Sequence, residues 1–174
     1  MSGRRAVFLD RDGTINVDNG YVIERDKFEL LPGVPEALKR LQDAGFLLVV
    51  VTNQSGIGRG FFSLETVDAL HEHMRELLRE YGVELNGIYL CPHGPNEGCE
   101  CRKPKPGMLL QAAKDLGIDL EQSYMVGDQL SDVQAGIRAG CCPLLIHNHG
   151  PFYGLGEAVD FLFALDKEKK CTQD

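Results

Sequence analysis

The sequence predicts an α/β fold, a doubly wound and mainly parallel sheet in three layers, and two patterns carry that expectation. Apolar runs of strand length occur at residues 6–9, 46–52, 87–90 and 143–146, with a shorter fifth at 124–126. Most are continuous rather than alternating, as suits strands covered by helices on both faces. Between them lie segments with apolar residues at three- and four-residue steps, so the elements read β-α-β-α-β-α-β-α-β.

Taken in order, the first strand is Ala-Val-Phe-Leu at residues 6–9. A helix over 34–44 follows Pro32-Gly33, shows Leu38 and Leu41 on one face and stops at Gly45. After the second strand a longer helix spans 64–81, with Val67, Leu70, Met74, Leu77 and Leu78 in its stripe. Ser63 stands at its capping position, with Thr66 three residues on, and Gly82 closes it. Helices over 107–116 and 130–139 flank the fourth strand and end at Gly117 and Gly140. In such Rossmann-like sheets ligands collect at the carboxyl ends of the strands, near the reversal of strand order. Residues 1–165 are expected to form a single domain, and 166–174 a frayed polar tail.

A chain of 174 residues holds one core of useful size and leaves little room for a second domain, which argues against a large cap over the site. Its net charge of -8 argues against general nucleic-acid binding. No run approaches the roughly 18 apolar residues of a membrane span, and the apolar stretch after Met1 is short for a signal peptide. The expectation is a cytoplasmic monomer acting on a small molecule, with no nucleic-acid or membrane partner. In a reducing compartment its six cysteines point to metal binding or burial rather than to disulfides.

The first strand runs into Asp10-Arg11-Asp12-Gly13-Thr14 and the fourth into Gly127-Asp128. If these strands are adjacent, Asp10 and Asp128 share one edge and can hold Mg²⁺, a hard ion that takes carboxylates, waters and phosphate oxygens. The second strand ends in Thr52-Asn53-Gln54-Ser55, donors suited to anionic oxygens, and Lys103 adds a cation. A metal, donors, an attacking carboxylate and a second carboxyl to handle protons are the parts of phosphoryl transfer.

These segments, in this chain order, resemble the four motifs of the haloacid dehalogenase-like phosphatases, and the resemblance covers nearly the whole chain. It implies Asp10 as nucleophile through an aspartyl-phosphate, and Asp12 as general acid and then base. It also implies a Mg²⁺ contact from the Asp12 carbonyl, with Thr52 and Lys103 holding the phosphoryl group. Asp132, four residues after Asp128, either orients the metal site or merely occupies a first helical turn, where acids are favoured.

After the third strand, Cys91, His93, Cys99 and Cys101 fall within eleven residues of a Gly/Pro-rich loop. Three thiolates and an imidazole complete a tetrahedral Zn²⁺ shell with no open position, so the site is expected to be structural. A redox pair at Cys99 and Cys101 is the weaker competitor. Zinc would replace a core in a loop that leads into Arg102 and Lys103. This loop, with Arg102-Lys103-Pro104 and Pro106-Gly107-Met108, is similar to the capless branch of the family that acts on phosphorylated heptoses and on histidinol phosphate. The resemblance implies removal of the C7 phosphate of a heptose 1,7-bisphosphate in nucleotide-heptose and lipopolysaccharide biosynthesis. It implies substrate contacts from Asp18, Asn19, Gly20, Tyr21, Asn53, Gln54, Ser55 and Arg102. Gln129 stands where several relatives carry Lys, which alters one contact. Arg59, in a Gly-rich loop, either reaches the substrate's remote phosphate, the favoured reading, or is simply solvated.

Three other groups are not promoted to sites. His71 and His73, two apart on a helix, cannot face one ion and are expected to be surface or partly buried residues. His147 and His149 read as polar loop residues, and Cys141, Cys142 and Cys171 as ordinary buried or tail cysteines. The rival activity is hydrolysis of histidinol phosphate or another small metabolite. A rival of another class is a zinc-stabilised binding module without catalysis.

Overall fold

The computed structural model describes residues 3–147 and 151–172. Five strands, β1 (Ala6–Leu9), β2 (Leu47–Asn53), β3 (Gly87–Cys91), β4 (Tyr124–Gly127) and β5 (Cys142–Leu145), form one sheet in the order β3-β2-β1-β4-β5. Every pairing is parallel, with Leu9 opposite Val50 on one side and Val126 on the other. Pro143, which cannot donate to a ladder, lies in β5 at the sheet edge.

The continuous apolar runs divide their residues between two cores. Val7, Leu9, Leu48, Val50 and Val126 point to one face, and Phe8, Val49, Val51 and Met125 to the other. Helices α1 (Val34–Asp43) and α2 (Leu64–Arg79) cover the first face through Leu38, Leu41, Leu70 and Met74. Helices α3 (Gly107–Leu116) and α4 (Leu130–Ala139) cover the second through Met108, Leu109, Ala112 and Ala135. Each buried leucine contributes roughly 1.5–3 kcal/mol to that packing. The Ser63 side chain accepts from the Thr66 amide and caps α2, as the sequence predicts.

The end of the chain differs from expectation. A fifth helix, α5 (Leu155–Cys171), takes in most of the segment read as a frayed tail. It buries Leu155, Ala158, Val159 and Leu162 in the α1 face, and an Asp166–Arg5 ion pair ties it down. Its buried positions follow helical steps of three and four residues, but Phe161 is exposed beside buried Leu162 and charged residues fill the last turns, which blurs the stripe in the sequence.

Candidate active site

The chain winds outward from β1 to β2 and β3, then crosses back to β4 and β5, so the switch point lies between β1 and β4. Asp10 leaves the end of β1 there, its amide donating to the Val126 carbonyl at 3.0 Å, and Asp128 leaves the end of β4. The adjacency on which the Asp10–Asp128 pairing depends is therefore present.

Lys103 reaches this edge from the segment between the Cys/His loop and α3. Its Nζ donates to Asp10 Oδ1 at 2.7 Å, to Asp132 Oδ1 at 2.7 Å and to the Val51 carbonyl at 2.8 Å. Burial alone would lower the Lys103 pKa, but the charges of Asp10 and Asp132 outweigh it and hold it raised. Its main chain is clamped by Asn53, which accepts from the Lys103 amide at 3.0 Å and donates to its carbonyl at 3.2 Å.

Asp132 does more than occupy a helical turn. One oxygen binds Lys103, and the other accepts from the Gln129 amide at 3.0 Å in a capping box at the start of α4. The helix cap and the placement of the active-site cation are thus one structure. Gly127 permits it, because a Cβ at that position would overlap the Asp132 side chain.

Asp10, Asp128 and Asp132 bring carboxylate oxygens within 4.8 Å of one another. Asp128 Oδ1 is buried without a hydrogen-bond partner. Burial first, then the charge of Asp10, pushes Asp128 up to about 7, and the same two causes, opposed by Lys103, push Asp132 up to about 6. An orphaned oxygen among crowded acids fits a divalent cation, which would relieve both the repulsion and the missing contact. Gly13, at φ 85°, leaves room for Asp128, which any Cβ there would strike.

The other expected residues divide into three groups. Asp12, Asp18, Asn53, Arg102 and Gln129 line the 290 Å³ cavity over the carboxylates, which Ser131 also lines. Gly20, Tyr21, Gln54 and Ser55 line a neighbouring cavity of 280 Å³ that shares Asp12, Asp18 and Asn53. Buried Thr52 accepts from Gln54 at 2.9 Å, and Gln54 also donates to Asp12 Oδ2 at 3.2 Å. Asn19 is exposed and lines neither cavity, while exposed Arg59 lines a separate one with Pro95 and Glu97. Two residues escape the sequence reading. Arg11 is fully buried against Asp12, and His71, expected at the surface or partly buried, is buried against Arg11. Nothing in a single sequence separates a buried arginine from a solvated one. For His71 the one available signal is its place directly after Leu70 in the α2 stripe.

The donor atoms of Cys91, His93, Cys99 and Cys101 also lie within 4.8 Å of one another. Cys91 Sγ is 3.5 Å from His93 Nδ1 and 3.6 Å from Cys99 Sγ, and His93 Nδ1 is 3.3 Å from Cys101 Sγ. These separations approach the edges of a tetrahedron built on zinc–ligand bonds of about 2.0–2.3 Å. The Cys91–Cys101 separation, 2.7 Å, is shorter and would have to open around an ion. Burial raises Cys91, whereas Cys99 is lowered to about 7 because the Arg102 amide and the neighbouring thiols outweigh its desolvation. A thiolate donor set of this kind fits zinc. His147 has a φ of 67°, and His149 lies outside the described residues.

The model of one family, described as haloacid dehalogenase-like hydrolase, matches residues 12–140. A Haemophilus ducreyi protein named D-glycero-beta-D-manno-heptose-1,7-bisphosphate 7-phosphatase is 57% identical over 145 residues, covering 79% of this chain and 80% of its own. An Escherichia coli protein of the same name is 54% identical and covers 97% of both chains. The crystal structure of a D,D-heptose 1,7-bisphosphate phosphatase from B. bronchiseptica, complexed with magnesium and phosphate, superposes with a TM-score of 0.84. It is 36% identical and covers 92% of this chain and 98% of its own. With acids and a lysine meeting at the β1/β4 edge and the family model matching residues 12–140, the chain belongs to the haloacid dehalogenase-like hydrolase family.

Proposed function

We propose that this protein is a Mg²⁺-dependent phosphomonoesterase that removes the C7 phosphate of D-glycero-β-D-manno-heptose 1,7-bisphosphate. The observation that carries the substrate is more than 50% identity to enzymes of that name, over most of their length. The chemistry is supported by Asp10, Asp12, Lys103 and Asp128 standing around one cavity.

Asp10 attacks phosphorus and the bond to the sugar oxygen breaks, with Asp12 giving that oxygen a proton. A water then attacks the aspartyl-phosphate and returns a proton to Asp12, and phosphate leaves from Asp10. Lys103 fixes the nucleophile throughout and offsets charge on the transferring group, with Thr52 as a neighbouring donor. Mg²⁺, held by Asp10, Asp128 and the Asp12 carbonyl, would lower the repulsion between nucleophile and phosphate. Substrate is expected to contact Asp18, Gly20, Tyr21, Ser55, Arg102 and Gln129, which line the two cavities.

Zn²⁺ on Cys91, His93, Cys99 and Cys101 is proposed as structural, because four protein donors leave no site for water. Within the described residues no helix is long and apolar enough to cross a membrane. The enzyme is read as a cytoplasmic monomer, formed from a single domain over residues 1–165 with α5 completing it.

The deciding experiment measures phosphate release from both anomers of the heptose bisphosphate and from histidinol phosphate, with Mg²⁺ removed and restored. The β-bisphosphate should give the highest kcat/KM, and only with Mg²⁺. Preference for histidinol phosphate would overturn the assignment.

A further inference from the structure

We infer that Arg11 and His71 form a buried positioning relay that fixes the Asp12 carboxyl so that Oδ2, and not Oδ1, exchanges the proton with leaving group and water. The inference rests on the reading of Asp12 as the general acid and base.

Arg11 stands between the two catalytic acids and is 0% exposed. Burying a guanidinium is costly unless its donors are matched, so the use of those donors indicates what it does there. Nε and one terminal nitrogen both donate to Asp12 Oδ1, at 3.0 and 2.8 Å. The latter nitrogen also donates to the Val22 carbonyl at 3.2 Å, and the other lies 3.0 Å from His71 Nε2. The fork therefore closes on a single oxygen of Asp12, and the far side of the guanidinium is braced by α2.

Asn16 Nδ2 adds a third donor to Asp12 Oδ1, at 3.0 Å. An oxygen facing three N–H groups has no direction left for a proton of its own. Oδ2 meets one donor, Gln54 Nε2, and Asp12 lines both cavities. Only Oδ2 can give a proton to the sugar oxygen and take one from water. A carboxyl free to rotate would divide its time between productive and unproductive faces, and general acid catalysis is sensitive to that geometry.

A guanidinium only donates, so His71 Nε2 must accept, which requires a neutral ring. Burial, then the charge of Arg11, pushes His71 down to about 3, which agrees with that geometry. His71 touches neither cavity over the carboxylates and acts only through Arg11.

The test compares the heptose bisphosphate with 4-nitrophenyl phosphate, whose leaving group departs without a proton, in steady-state and rapid-quench assays. His71→Phe keeps the ring volume and removes the acceptor, while His71→Gln keeps an acceptor. His71→Phe should lower kcat for the sugar phosphate about tenfold to hundredfold with KM within about twofold. The first-turnover release of 4-nitrophenolate should persist, and His71→Gln should recover most of the lost kcat. Arg11→Lys, which keeps the charge but loses the fork, carries the same expectation and serves if His71→Phe does not fold. Asp12→Asn is the control and should show the same split more strongly. If that control splits the substrates while the His71 and Arg11 variants slow both equally, or neither, the relay is wrong and the role of Asp12 stands. If Asp12→Asn shows no split, the role of Asp12 fails and the relay with it.

Discussion

Among the described residues two clusters could hold a metal ion, and they get their geometry in opposite ways. The carboxylates stand on ends of the two central strands, in a sheet covered on both faces, with Lys103 and the α4 cap locking Asp10 and Asp132. The thiol and imidazole ligands belong to residues 91–101, where β3 gives way to turns and bends, and only Cys91 is buried. In the first case the protein fixes the acids and the ion supplies chemistry. In the second, under the proposed structural zinc, the ion would fix the loop. Each cluster should therefore fail differently when a ligand or an ion is lost.

The largest effect is expected at the proposed nucleophile. Asp10→Asn should reduce phosphate release by at least about a thousandfold, since it removes the attacking group and not merely a contact. The melting temperature should move little, because the smaller charge relieves crowding with Asp128 while Lys103 loses one of its two carboxylates and keeps Asp132. Retained activity would return the non-catalytic binding module to consideration.

Lys103→Met attacks the lock itself. It leaves Asp10 and Asp132 facing each other without their shared cation, and breaking such a buried pair costs about 3–5 kcal/mol. Denaturant unfolding should show that loss. Adding Asp132→Asn should restore part of the stability and none of the activity, because in the proposed mechanism the lost cation also serves the phosphoryl group. If the single variant is as stable as the parent, the strand-end site does not depend on this pair.

At the other cluster, metal analysis should find one zinc per chain. Stripping it with a strong chelator should lower activity by roughly tenfold to hundredfold, the scale of losing support for a catalytic residue. Far-ultraviolet circular dichroism should change little, since the helices and strands lie outside residues 92–101, even though Cys91 belongs to one core and Cys99 and Cys101 pack against it. A metal-free protein with full stability and activity would remove zinc from the account.

The same contrast explains what is legible in the sequence. Strand ends are where periodicity gives way to acids and glycine, so Asp10, Asp12, Thr52 and Asp128 can be placed from the order of residues alone. The Cys/His spacing is local and reads directly. Contacts between elements distant in sequence are not legible. The meeting of Lys103 with Asp132, the Asn53 clamp on the Lys103 main chain and the approach of His71 to Arg11 all depend on how helices dock on the sheet. Helix α5 is hidden because its stripe, Leu155, Ala158, Val159 and Leu162, is short and is followed by charged turns that read as a tail, and it is held by tertiary contacts with the α1 face. Arg59, expected to bind phosphate, lies against the Cys/His loop in a cavity of its own, which no pattern around it signals.

The smallest expected effect concerns protons at the carboxylates. Asp128 is raised from 3.8 to about 7 by burial and by Asp10, so below that pH a proton competes with the cation for its oxygens. Mg²⁺ affinity measured by calorimetry should fall as pH drops through 7, by about tenfold per unit at the lower end. The thiolate cluster should not follow the same curve, since its lowered Cys99 and raised Cys91 titrate under different causes. For stability the sign is the reverse of that for a salt-bridged acid. A carboxyl whose folded pKa lies above its unfolded value takes up a proton on folding, so the metal-free protein gains stability from Asp128 as pH falls from about 7 toward 4. Asp132, raised to about 6, acts in the same direction. Saturating Mg²⁺ replaces that proton and should flatten the dependence. A metal-free melting temperature that rises steadily with pH over this range would mean that these acids are not crowded, and that the sheet alone does not build the site.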